Sequence, residues 1–314
     1  MRRTKLFFLR FVSLFLLCLP LHAQLQPPGG GGPPCTNCPP IVNPSPAPGR
    51  TLLDLEVRHV GTLRVELFDR DKPKSAQNFI SYVLSGAYSN SILHRASTNF
   101  VVQGGSLQII TFTGGNKSVA PVAERTNVVV NERGVGTVFN NAKGTLALAH
   151  YPGLTNEASC HWFINLADNA QLDAIDTNNA YTVFGRVVVG LDLLDKLNPS
   201  ATNTTTKVLN LGGWLDEAPV RSSATLAGIT YDDLLTTTWK VVALDMGLTV
   251  EQQTNDTRKL TWLSVSNKAH RVEFAPTVTN SWTLLWTTNG NGGTQTFTHS
   301  SNTVTGFYRM NYQP

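Results

Sequence analysis

A guanidinium, an aromatic ring and a primary amide stand close together in HRASTNFVVQGG, residues 94–105 of the 314-residue chain. Arg95 lies five positions before Phe100, and Gln103 leads into Gly104-Gly105. Arginine stays charged at any working pH and carries a rigid fork of donors, while a phenyl ring supplies an apolar wall. If 96–103 is a strand, its side chains alternate in period 2, and Phe100 with its neighbours reaches a groove that Arg95 also faces. Taken singly, each residue has an ordinary use. Arg95 can be a surface salt-bridge donor, Phe100 a core residue and Gln103 part of a turn. His150, Cys160 and His161 raise a second chemistry, zinc ligation or a Cys-His nucleophile. Placed on a strand, however, the adjacent Cys160 and His161 point to opposite faces. No metal is therefore expected.

The first motif is followed in order by GTLALAH (144–150), WFINL (162–166) and YTVFGRV (181–187). Together the four resemble the cyclophilin family of peptidyl-prolyl isomerases, over roughly residues 51 to 245. The implied chemistry is rotation about the amide preceding proline, whose partial double bond sets a barrier near ~20 kcal/mol. In the twisted amide the ring nitrogen recovers a lone pair, and a fixed guanidinium that donates to it favours that state. The resemblance gives this catalytic role to Arg95. It places Gln103 on the substrate backbone and beside Arg95. Phe100, Val101, Phe163 and Leu172 line the socket for the proline ring, with Tyr181 at its rim. Ala149 and His150 lie on the strand that pairs with substrate, and His161 is a further substrate-contact position. No cofactor is implied, and the partners are proline-containing polypeptides. Three departures stand out: His150 where the family usually has Asn, Cys160-His161 in place of Ser-Gln, and Gln171 where some members carry Trp. A catalytically weak module that binds proline-containing peptides is therefore the alternative.

These residues need a scaffold. The resemblance implies a mainly β fold: a closed antiparallel β-barrel with two capping helices, followed by a small C-terminal all-β module. The residues themselves predict a hairpin over 52–68, broken at Gly61. A helix is expected within 71–88, with Pro73 in its first turn, Phe79, Tyr82 and Val83 on one face, and Gly86 as its stop. A second short helix is read at 190–198. Residues 104–142 read as an irregular excursion, which the resemblance implies is an insertion at 106–128; 199–240 is Thr/Asn-rich and hard to place, and 231–246 is expected to supply the last strand near the barrel. About five strands are expected in 248–314, where Trp262, Val272, Phe274, Trp282, Leu284, Trp286, Phe297, Phe307 and Tyr308 would fill a small sandwich core. An isomerase domain over 51–247 and a module over 248–314 follow.

The N-terminus carries Arg2, Arg3, Lys5 and Arg10 around an apolar run to Leu19, then Ala23, and reads as a signal peptide over 1–23. That run is too short to span a bilayer, so no membrane span is expected in the mature chain. Residues 24–50 form a Pro/Gly-rich linker. The formal charge of +4 comes largely from the leader, so the mature chain is near neutral and no basic stripe invites nucleic acid. An exported protein, periplasmic or secreted, is expected, with an envelope or polysaccharide partner as a further expectation for the C-terminal module. Cys35 and Cys38, in CTNC, have redox or zinc-ligand spacing. Their Pro/Gly surroundings favour an exposed disulfide or an inter-chain link, with an inert pair or a metal or redox site as alternatives.

Overall fold

A computed structural model describes residues 50–124, 128–151, 153–173, 180–200, 202–243, 247–254, 256–264, 268–277, 281–291, 294–300 and 306–312. The leader, the tract up to residue 49 and the CTNC motif lie outside the described residues. The chain divides into two compact units, Met1–Ala243 and Leu244–Pro314.

In the first unit, β1 (Leu52–Val57) and β2 (Gly61–Leu67) form the expected hairpin. Leu53, Leu55, Leu63 and Val65 turn inward and are buried. Asp54 and Arg64 face each other on the outer side and pair at 2.8 Å, as alternation requires. The helix α1 (Pro73–Leu84) starts at its proline and buries Ala76, Phe79 and Tyr82. Its orphan N–H groups are met from outside the helix: Glu132 accepts from the amides of Lys74 and Ser75 and from the Ser75 hydroxyl. A carboxylate at this end also suits the helix dipole.

The chain continues through β3 (Ser91–Ile92), β4 (Arg95–Ala96), β5 (Val101–Gly104), β6 (Leu107–Thr111), β7 (Lys117–Pro121), β8 (Thr145–Leu148), β9 (Trp162–Asn165) and β10 (Val183–Val189). The short α2 (Leu193–Leu197), β11 (Thr206–Leu209), β12 (Ala218–Arg221) and β13 (Thr236–Ala243) complete the unit. One sheet runs β4-β5-β9-β8-β10-β2-β1-β13-β3-β6-β7, and β11 pairs with β12 separately. The unit is mainly β with few helices. Among the described residues no ladder joins the end strands β4 and β7, so hydrogen bonding does not complete a closed barrel. The sheet instead turns its corner inside single segments. Only Leu93 and His94 separate β3 from β4, and only Gly105 and Ser106 separate β5 from β6.

Three sequence expectations change here. Residues 96–103 are not one strand but the hairpin β4–β5, with a turn that puts Asn99 at φ 52°. The excursion at 104–142 contains the hairpin β6–β7, turned at Gly114-Gly115. The unplaced stretch 199–240 supplies β11 and β12 and packs Leu215, Val220, Tyr231 and Leu234 against Ile92 and Leu107.

Among the described residues the second unit has six strands rather than five: β14 (Thr249–Thr254), β15 (Thr257–Leu263), β16 (Ala269–Ala275), β17 (Thr283–Asn289), β18 (Thr294–Ser300) and β19 (Phe307–Tyr312). They form two three-stranded sheets, β14-β15-β18 and β17-β16-β19. Trp262, Val272, Trp286, Phe297 and Tyr308 share one apolar cluster drawn from both sheets. Leu284 and Phe307, expected inside, are exposed. Phe307 falls on the outward phase of β19, and a register shift between β16 and β17 takes Leu284 out of phase with Trp286.

Candidate active site

The register of four strand pairs places the candidate residues. Arg95 lies opposite Gln103, Gln103 opposite Phe163, Phe163 opposite Ala147 and Ala147 opposite Val183. Directly opposed residues of antiparallel strands share a face, so these five form one row across β4-β5-β9-β8-β10. The neighbouring rows, Val102–Ile164–Leu146 and Gly104–Trp162–Leu148, face the main core. Arg95 and Gln103 therefore meet across a hairpin and not along one strand.

Beside this row lies an apolar cluster separate from the main core, made of Phe68, Phe100, Val101, Ala147, Ala149, Phe163, Leu172, Tyr181 and Val183, with Phe139 packed on it. It contains every residue the motifs assigned to the socket and rim. Buried amides hold its loops in place. Asn169 Nδ2 donates to the Phe100 carbonyl at 2.9 Å and to Asn165 Oδ1 at 2.7 Å, and Asn141 Nδ2 donates to the Leu172 carbonyl at 3.2 Å. Phe100 and Leu172, on separate loops, are thus fixed by one polar chain.

Arg95 is almost fully buried, its side chain 4% exposed. Its Nε donates to Glu217 Oε2 at 2.5 Å, and its guanidinium carbon lies 5.9 Å from the Phe100 ring centre. Nη1 is buried with no hydrogen-bond partner among the described residues. A guanidinium nitrogen left in that state is costly unless something accepts from it. Gln103 is fully buried opposite Arg95. Glu217 was not visible to sequence reasoning, since 122 residues separate it from Arg95. It is delivered by the turn before β12, where its carbonyl also accepts from the Ala96 amide at 2.9 Å.

The departures from the family pattern have distinct fates. Both His150 ring nitrogens lie against carbonyl oxygens, Nδ1 at 2.8 Å from Tyr151 and Nε2 at 2.9 Å from Ala180. The ring stacks on Tyr181 at 4.2 Å. His150 therefore supports the rim residue with its ring. Burial pushes the Tyr181 hydroxyl up to about 12. The Ala149 amide donates to the His161 carbonyl at 2.9 Å. Cys160 and His161 do not obey strand alternation, because β9 starts only at Trp162. Their ligand atoms and a carboxylate oxygen of Glu124 all lie within 4.8 Å of one another, which corrects the expectation of opposite faces. Burial pushes the Cys160 thiol up to about 12, leaving it a protonated and poor nucleophile at neutral pH. His161 Nε2, 3.4 Å from Glu124, holds that carboxyl below its usual range against the opposing effect of burial.

Comparison with known proteins gives the family. The model of the family described as cyclophilin type peptidyl-prolyl cis-trans isomerase/CLD matches residues 52–212, about half of the chain. The chain belongs to the cyclophilin family. A peptidyl-prolyl cis-trans isomerase of Acinetobacter baylyi is 35% identical over 154 residues, 49% of this chain and 75% of the relative. Peptidyl-prolyl cis-trans isomerase B of Escherichia coli is 33% identical over 145 residues, 45% of this chain and 81% of the relative. A solved cyclophilin type isomerase from Cryptosporidium parvum aligns with 62% of this chain and 98% of its own at 18% identity, with a TM-score of 0.40. In this cyclophilin, Glu217 lies beyond the stretch that the family model matches.

Proposed function

We propose that the chain is an exported peptidyl-prolyl cis-trans isomerase that accelerates rotation of Xaa-Pro bonds during protein folding. One observation carries the reading. A buried guanidinium nitrogen of Arg95, without a hydrogen-bond partner among the described residues, lies beside Phe100, and Arg95 is in one register row with Gln103 and Phe163. A proline ring seated on Phe100, Val101, Phe163 and Leu172 would bring its amide nitrogen to that donor. Twisting the amide creates the acceptor, so the hydrogen bond strengthens only on the way to the transition state. Gln103 and the segment at Ala149, just past the end of β8, hold the substrate backbone, and Tyr181 closes the rim. Neither metal nor cofactor takes part in this step. The family itself fits proline-containing peptide substrates.

Export rests on the basic and apolar leader over 1–23 and on the Pro/Gly tract behind it. The barrel reading rests on the segment Ser91–Ala96, which pairs with β13 and β6 at one end and with β5 at the other.

The second reading, a weakly catalytic peptide-binding module, is favoured by the Arg95–Glu217 pair, which neutralises the guanidinium before any substrate arrives. The two separate in a protease-coupled or NMR exchange assay on an Ala-Pro peptide, run with wild type and Arg95→Ala and with cyclosporin as inhibitor. The isomerase reading expects fast turnover that depends on Arg95, with peptide binding retained in the variant. Turnover at the uncatalysed rate by folded wild-type protein would leave only the binding module.

A further inference from the structure

Three ligand types meet in a place that the isomerase reading leaves unexplained. The Glu124 carboxylate, the Cys160 sulfur and a His161 ring nitrogen lie within 4.8 Å of one another. They come from two segments, the chain just after β7 and the turn just before β9. Both segments are pinned by their backbones. Asn78 Nδ2 donates to the Ser159 carbonyl at 2.7 Å and the Tyr88 hydroxyl to the Cys160 carbonyl at 2.6 Å. The Val122 amide donates to the Ser106 carbonyl at 2.7 Å and the Val129 amide to the Ala158 carbonyl at 2.8 Å. The glycine pair after Gln103 belongs to the same construction. Gly105, at φ 88°, runs so close to Cys160 that a Cβ would stand 2.2 Å from its carbonyl oxygen.

We propose that Glu124, Cys160 and His161 form a three-ligand site for a zinc-type divalent cation at the edge of the substrate groove. Thiolate, imidazole and carboxylate are the donors zinc takes, and three protein ligands with one open position are a familiar set for it. The separation of His161 Nε2 from Glu124 Oε1, 3.4 Å, matches the edge of a tetrahedron with metal–ligand bonds of about 2.0–2.1 Å. Drawing in the sulfur needs a side-chain movement of about an ångström, which exposed Glu124 can share. Binding releases the Cys160 proton to solvent, with no change of oxidation state. The other His161 nitrogen, Nδ1, is buried without a hydrogen-bond partner among the described residues, and ligation through Nε2 leaves it unchanged. The site touches the groove because the His161 carbonyl accepts from Ala149 and because Phe163 follows two residues later. A His161 ring held on a metal is not free to meet substrate.

The test uses the full chain with Cys18, Cys35 and Cys38 replaced by Ser, so that Cys160 is the one remaining thiol. Chelator-treated protein is titrated with cobalt(II). A sulfur-to-cobalt charge-transfer band, tetrahedral visible bands and displacement by one equivalent of zinc are expected. Glu124→Gln and His161→Gln should each weaken or abolish the bands, and Cys160→Ser should remove the charge transfer. Absence of the band in protein with a native near-UV spectrum overturns the site, as does a band that survives both Glu124→Gln and His161→Gln. Zinc is also expected to raise KM for the proline peptide, and a KM unmoved at saturating zinc overturns the placement at the groove. That last readout rests on the isomerase reading, whereas the cobalt spectrum does not.

Discussion

Strands β5, β9 and β8 present two faces that differ by one residue in sequence and by most of their chemistry. On one face Val102, Ile164 and Leu146 are opposed, as are Gly104, Trp162 and Leu148. These side chains pack into the main core, where Trp162 meets Phe79 and Trp239 edge-on. On the other face Gln103, Phe163 and Ala147 are opposed, with Arg95 at the end of the row. The first face holds the sheet together. The second keeps a charge out of water with one nitrogen unpartnered among the described residues, an arrangement that folding alone does not favour. The core face also buries a polar atom without a hydrogen-bond partner among the described residues, Trp162 Nε1, so what sets the second face apart is the buried charge.

The comparison breaks most visibly at Trp162. Trp162→Ala is expected to cost about 3–5 kcal/mol of unfolding free energy through lost burial and the cavity left behind, read from urea denaturation. Turnover per folded molecule should hold. The Gly104-Gly105 backbone packs on the indole, with a Cβ at Gly104 meeting it at 2.6 Å. A stability change below ~1 kcal/mol would mean that the two faces are not energetically distinct in this way.

Arg95→Ala probes the other face and should give the opposite signature. Removing the donor to the twisted amide is expected to lower kcat/KM by about 10²–10³, the usual cost of one transition-state hydrogen bond. The loss should fall on kcat and not on peptide affinity. Stability should change little or even rise, because the buried charge leaves with the side chain while Glu217, 40% exposed, returns to water. A variant that unfolds before it loses activity would make Arg95 structural.

How much of this was legible beforehand depended on distance along the chain. The hairpin over 52–67 and the helix from Pro73 followed from local period and punctuation, because alternating Leu and Val and an N-terminal proline act within a few residues. The socket residues followed from motif order. What escaped were long-range partners and single-residue phase. Glu217 reaches Arg95 across 122 residues. The amides Asn141, Asn165 and Asn169 carry no local sequence signal and are brought together only by the fold. Cys160 and His161 were assigned to opposite faces because β9 was started too early, and one residue of phase is enough to invert such an argument. The hairpin β6–β7 was missed because its residues are half-buried on both sides and show no clean alternation.

A smaller effect is expected at Glu217, the positioning residue for Arg95. Glu217→Gln keeps a hydrogen-bond acceptor for Nε and removes the charge, so the guanidinium stays near the groove but is held less firmly. Turnover should fall by about tenfold, the worth of one charge-assisted bond over a neutral one, with KM little changed. Glu217→Ala should fall further, and partial rescue by Gln separates positioning from simple charge balance. Equal activity of both variants and wild type would leave the ion pair without a catalytic role.

The last effect concerns the rim and is read at alkaline pH. Burial disfavours the Tyr181 phenolate, which pushes its hydroxyl from 10 up to about 12. The unfolded chain ionises this tyrosine near 10, so below that pH its burial contributes fully to stability. Between pH 10 and 12 the unfolded state alone binds fewer protons, and stability falls as pH rises through that window. Tyr181→Phe removes the titration while keeping the ring that stacks on His150 and meets Phe163 edge-on. The variant should therefore lose less stability than wild type from pH 10 to 12, and its ultraviolet titration should lack one late tyrosinate step. Should wild-type Tyr181 titrate with the exposed tyrosines, the rim is open to water and the apolar face is shallower than the register row implies.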